Sequence, residues 1–152
     1  MFVCTFFVEE IVLKNEKFLK IILNEAEKAL KKNEVPVGCI IVKDENILSK
    51  AHNTKQKKHA CINHAEILAV LKAEKKIEDW RLDGCDLYVT LEPCKMCMEV
   101  IRQARIKNVY YLLPSKFNNE DNKKILVKQI EENEVLKEQY YQKIKEFFAR
   151  KR

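Results

Sequence analysis

The chain has 152 residues, 47% apolar and 34% charged, a length and balance that suit one domain with a sizeable core. No apolar run approaches the ~18 residues needed to span a bilayer, so a transmembrane helix is excluded and no membrane partner is expected. A formal charge of +6, from 29 basic and 23 acidic residues, is moderate and does not alone select a nucleic-acid partner.

Residues 1–14 read as an N-terminal extension of a single domain covering 1–152. The apolar opening Met1–Val8 lacks a basic segment and runs into Glu9 and Glu10, so it is expected as a packed strand or tail rather than a signal peptide. Across 16–32, Phe18, Leu19, Ile22, Leu23, Ala26, Ala29 and Leu30 recur at helical spacing, with Asn15 available as a cap. Val37–Val42 reads as a buried strand, and Lys43–Asn46 as a hairpin turn returning through Ile47 to Ala51. Residues 53–63 form a polar loop. A helix follows from His64 to Lys75, its apolar face made of Ile67, Leu68, Val70 and Leu71.

Leu87–Thr90 is a short strand, and Pro93 then opens a helix ending near Ala104, since proline is tolerated at the first helical position. Asn108–Leu112 is a further strand. About the last 30 residues read as helical, above all 134–152, where Val135, Leu136, Ile144, Phe147 and Phe148 suggest a buried face. The order α-β-β-α-β-α-β-α implies an α/β layered domain with helices packed on a sheet. Lys55, Lys57, Lys58 and His59 cluster before His64, and Arg150, Lys151 and Arg152 end the chain. Such clusters either attract a phosphate backbone or are simply solvated surface.

Six cysteines stand at Cys4, Cys39, Cys61, Cys85, Cys94 and Cys97. Only Cys94 and Cys97 are closely spaced and nothing indicates secretion, so a reduced protein holding a metal on two thiolates is expected. With His64 they make three ligands for a tetrahedral zinc, leaving the fourth position open for water. Cys-x-x-Cys alone is ambiguous. A zinc ribbon needs a second pair, which is missing, but a thiol–disulfide couple also lies at a β–α junction. His64 and Glu66 are two apart, about 200° around a helix interior, and serve one site only if His64 stands at the helix entry. Each also has a plain use, Glu66 facing a helix dipole and His64 lying in a loop. Together the four fit an activated water with Glu66 as its proton carrier.

His64-Ala65-Glu66 with Pro93-Cys94-Lys95-Met96-Cys97 resembles the signature of the zinc nucleobase deaminases. Glu34-Val35-Pro36-Val37-Gly38, His52-Asn53, Leu87 through Cys97, Ala104-Arg105-Ile106 and the tail from Val135 to Phe148 are similar, more narrowly, to the bacterial tRNA-specific adenosine deaminases. That resemblance implies a three-layer α-β-α, cytidine-deaminase-like domain with a mixed central sheet. It implies a cytoplasmic homodimer with one Zn2+ per chain that converts adenosine 34 of a tRNA to inosine, with the anticodon stem-loop of an arginine tRNA as partner.

By the same resemblance His64, Cys94 and Cys97 bind zinc and Glu66 shuttles the proton. Asn53 hydrogen-bonds the target base and Val37 packs on its ring, with Ala65 the third substrate-binding candidate. The sequence departs from the family pattern at Leu113–Asn119, which lacks the usual acidic residue, at Cys61-Ile62-Asn63, and in residues 1–14. Two other readings remain: a zinc deaminase of a free base or nucleotide such as guanine or cytosine, and a non-catalytic, zinc-stabilised tRNA-binding subunit. Glu66 speaks against the second of these, because a binding module has no use for that carboxylate.

Overall fold

Alternation of apolar residues along the strands decides which helix covers which face. The structure, a computed structural model, describes residues 2–116 and 125–151, without the side chains of 2–8 and 10–13. Its elements are α1 (Phe2–Lys31), β1 (Gly38–Lys43), β2 (Asn46–His52), α2 (Lys55–Lys58), α3 (Ala65–Ile77), β3 (Cys85–Leu91), α4 (Lys95–Gln103), β4 (Asn108–Leu113), β5 (Leu126–Gln129) and α5 (Glu134–Arg150). The strands form one sheet in the order β2-β1-β3-β4-β5. β1 is antiparallel to β2 and β3, whereas β4 is parallel to β3 and β5.

Successive residues of a strand point to opposite faces. Cys39 and Ile41 of β1 accordingly pack with Ala65, Ala69 and Val70 of α3 and Ile101 of α4. Ile40 and Val42 meet Phe18, Leu19 and Ile22 of α1 and Tyr140 of α5 on the other side. The result is the expected α-β-α sandwich around a mixed sheet. Among the described residues no helix is long and apolar enough to cross a membrane.

Topology gathers several chain ends at one edge of the sheet. Gly38 pairs with His52 and Cys39 with Val89, so the start of β1, the end of β2 and the end of β3 lie side by side. α4 joins the parallel strands β3 and β4, and its first residues therefore sit at the carboxyl end of β3. In open α/β sheets that is where ligand crevices form.

Five expectations are corrected. The first helix does not start at Asn15 but runs unbroken from Phe2; no Gly or Pro interrupts it, and Asn15 donates its amide to Glu132 at 3.0 Å instead of capping. The polar loop contains the short helix α2. Pro93 lies outside α4, whose N-cap is Cys94. Before α5 comes a strand, β5, hidden in the sequence because four residues among lysines and glutamates carry little alternation. Of the proposed face of the last helix, Val135 and Phe148 are 66% and 47% exposed, while Phe147 is buried. Residues 117–119 of the atypical Leu113–Asn119 segment lie outside the described residues.

Gly38 is required by close approach, since a Cβ there would lie 2.0 Å from the carbonyl oxygen of Ile22 and 2.7 Å from the nitrogen of Ala26. Both are backbone atoms of α1 and cannot swing aside. Gly38→Ala should therefore cost about 3 kcal/mol, the upper end of ordinary overpacking. Thermal unfolding should show Tm lower by about 6–12 °C, and a Tm within 2 °C of wild type would contradict this packing.

Candidate metal centre and cleft

His64 and Cys94 stand at the N-caps of α3 and α4, both with extended backbone, and neither side chain caps its own helix. Both side chains turn to one point instead. His64 Nδ1 lies 3.7 Å from Cys94 Sγ and 3.5 Å from Cys97 Sγ, and the three atoms all fall within 4.8 Å of one another. Among the described residues no other His, Cys, Asp or Glu group converges in this way. A tetrahedral zinc with Zn–N about 2.0 Å and Zn–S about 2.3 Å has N···S edges of about 3.5 Å. The donor atoms therefore fit such an ion without rearrangement.

Electrostatics agree with that fit. Cys97 donates its S–H to Cys94, which with His64 holds the Cys94 thiol down to about 4. The same bond, together with burial, pushes Cys97 well up, and Cys94 in turn raises His64. Three donors are sharing protons that a cation would displace, so they titrate as one group.

Glu66 sits in the first turn of α3 and is 4% exposed. Burial pushes its carboxyl up to about 7, against the lowering effect of its backbone hydrogen bond and of His64. A carboxyl near neutrality gives and takes protons with equal ease.

Above these groups opens a cleft of about 470 Å³. His64, Glu66, Cys94, Asn53 and Val37 all line it. Asn53 is buried, and its Oδ1 accepts the Ala65 N–H at 2.7 Å. That bond leaves the Asn53 amino group as the donor for anything in the cleft. Two of the sequence candidates do not reach it. Cys97 lies behind the cleft, fully buried, and the Ala65 side chain is core, packed with Ala69 and Cys39.

Sequence reasoning gave several cleft residues no named role in the site. Glu34, Lys55, Gln56 and Glu92 line it, as do Phe147, Phe148 and Lys151 at the end of α5. The Glu92 carboxylate accepts the Ser115 N–H at 3.1 Å, so the atypical segment after β4 begins against the cleft wall. The Tyr140 hydroxyl donates to the Pro36 carbonyl at 2.9 Å and ties α5 to the same rim. Lys55 and Lys151 were flagged in the sequence only as members of basic clusters, and Glu34 and Glu92 only as parts of the segments that carry the resemblance. Phe147 and Phe148 were flagged as parts of those segments and of an apolar helix face; Gln56 carried no signal.

A family profile, the cytidine and deoxycytidylate deaminase zinc-binding region, matches residues 13–113. A protein of Aquifex aeolicus (strain VF5) described as a tRNA-specific adenosine deaminase is 48% identical over 96 residues, covering 63% of this chain and 64% of that protein. The chain thus spans under two thirds of the length of the curated relatives it matches, 59% for another of them. A solved structure from work on A-to-I editing by tRNA:A34 deaminases superposes with a TM-score of 0.71 at 30% identity, covering 76% of this chain and 98% of that one. A guanine deaminase from Bacillus subtilis gives a TM-score of 0.63 at 36% identity, covering 65% of this chain and 64% of that one. The His-Cys-Cys triangle and the buried glutamate thus stand inside the matched region, and the chain belongs to the cytidine and deoxycytidylate deaminase family.

Proposed function

We propose that this protein hydrolyses adenosine to inosine at position 34 of a tRNA, with one zinc per chain. The reading rests on one observation, the convergence of His64, Cys94 and Cys97 with a buried Glu66 at the foot of a cleft. The Aquifex relative and the A34 deaminase structure support tRNA adenosine as substrate. An arginine tRNA stem-loop, a homodimer and a cytoplasmic setting belong to the same proposal and follow from the resemblance.

In this mechanism His64, Cys94 and Cys97 hold the zinc, which when bound supplies an activated water. Glu66 would take one proton from the attacking water and pass it to N1, where it stays, and then take the remaining hydroxyl proton at C6 and pass it to the departing amine. Water adds at C6, ammonia leaves, and inosine remains. Asn53 donates from Nδ2 to the base edge, and Val37 provides an apolar wall for the ring. The Ala65 N–H contributes by fixing Asn53.

A second reading, deamination of a free base, is favoured by the similarity to guanine deaminase. Zinc-loaded protein incubated with an arginine tRNA stem-loop bearing A34, and separately with guanine, distinguishes the two. Inosine at position 34 is the expected product; ammonia from guanine with no inosine would replace the leading reading. Glu66→Ala should lower kcat by about 10²–10⁴-fold, the usual worth of a general acid–base group, while zinc content and RNA affinity stay as in wild type. Near-wild-type turnover would remove Glu66 from its role. Cys94→Ala should lose the metal, as measured by elemental analysis after dialysis, and a full zinc complement would refute the ligand assignment.

A further inference from the structure

Glu34 is 1% exposed and lines the cleft, yet the chemistry above gives it no task. Among the described residues it has no ion-pair partner. Its carboxylate oxygens instead accept the N–H groups of Gln56 at 3.0 Å and Lys57 at 2.7 Å. Both donors belong to α2, a helix of four residues, too short to persist alone in water. A buried carboxylate is costly unless charge-assisted hydrogen bonds replace its water, and these two do so.

The end of α1 aims this side chain. Asn33 adopts a left-handed backbone, with φ of 60°, a conformation asparagine tolerates better than most residues. The Asn33 N–H donates to the Leu30 carbonyl and the Glu34 N–H to the Ala29 carbonyl, both at 3.0 Å. This is a Schellman ending, which turns the chain back over the helix. The loop that Glu34 grips is closed at its base as well. Thr54 N–H donates to the Asn63 carbonyl at 3.1 Å, and Asn63 Nδ2 to Thr54 Oγ1 at 3.2 Å. One end of the loop is Asn53 and the other is His64. Lys55, on its cleft side, is exposed and has no anionic partner among the described residues.

We propose that Glu34 is a positioning residue whose buried carboxylate clamps α2 against the cleft and so presents the Lys55 ammonium to a phosphate of the bound RNA. This rests on the deaminase reading above, and it accounts for a buried anion that would otherwise have no function at the rim. Glu34→Gln keeps the volume but turns one acceptor into an NH2 that faces an N–H.

The test compares Glu34→Gln, Lys55→Ala and the double variant, all zinc-loaded and full length, on the A34 stem-loop. Amide hydrogen exchange at Gln56 and Lys57 should rise at least about tenfold in Glu34→Gln and stay unchanged in Lys55→Ala. KM should rise about fivefold to tenfold in each single variant with kcat within about twofold, and the double variant should be no worse than either. Unchanged exchange, additive KM effects, or a loss confined to kcat would overturn the clamp. If Glu34→Gln does not fold, Lys55→Ala decides alone, and an unchanged KM rejects the proposal. Should wild type produce no inosine, the functional reading fails separately. RNA affinity by fluorescence anisotropy then replaces KM, and equal affinity of Lys55→Ala and wild type overturns the inference.

Discussion

Two helices begin at the same point, and the site exists because they do. α3 and α4 place His64 and Cys94 at their N-caps, positions where serine, threonine or aspartate would normally satisfy the first free N–H groups. Histidine and cysteine there give up that capping, at about 1 kcal/mol per helix. For α3 the loss is made good from outside, since Asn53 Oδ1 accepts the Ala65 N–H. One amide thus finishes the helix that carries the histidine and glutamate, and keeps its own amino group for the cleft. The two helix dipoles add a positive field at the spot where a thiolate and a carboxylate gather. Burial works against that field at Glu66, and the balance leaves its carboxyl near 7 rather than in the usual range.

The sheet makes this meeting unavoidable. Because β3 and β4 are parallel, α4 must cross over between them and start at the carboxyl end of β3. Because β1 is antiparallel to β3, its first residues, and Val37 before them, come to the same edge. Gly38 lets α1 lie directly on that edge, and the end of α1 then delivers Glu34 to the rim. The cleft is therefore assembled from segments distant in sequence, each fixed by a different strand pairing.

That origin explains what the sequence disclosed. His64, Glu66, Cys94 and Cys97 were readable because chemistry restricts their types and local helix geometry restricts their spacing. The requirement that His64 stand at the helix entry came from the 200° separation of positions two apart, and the N-cap places it there. Glu34 was legible only as part of Glu-Val-Pro-Val-Gly; its task was not, because its partners are backbone N–H groups at Gln56 and Lys57, which any residue could supply. Phe148 was misplaced for a related reason. Helical spacing marks an apolar stripe but cannot say where a neighbouring layer stops, and the last turn of α5 extends past the sheet into the cleft. β5 escaped because a parallel edge strand draws its stability from β4, not from its own alternation.

Cleft composition bears on the choice between polymer and free base. A free purine needs an apolar slot and a few donors, which Val37, Asn53 and Glu66 can supply. Lys55, Lys151 and the half-exposed Phe148 lie outside that need. Two cations and an aromatic face at the mouth match what single-stranded nucleic acid offers, phosphates and stackable bases flanking the reacting one. The proposed Glu34 clamp rests on the polymer reading and fits it. Holding a four-residue turn rigid is of little value to a substrate that ends at the ring, and of real value to one whose backbone continues along the rim.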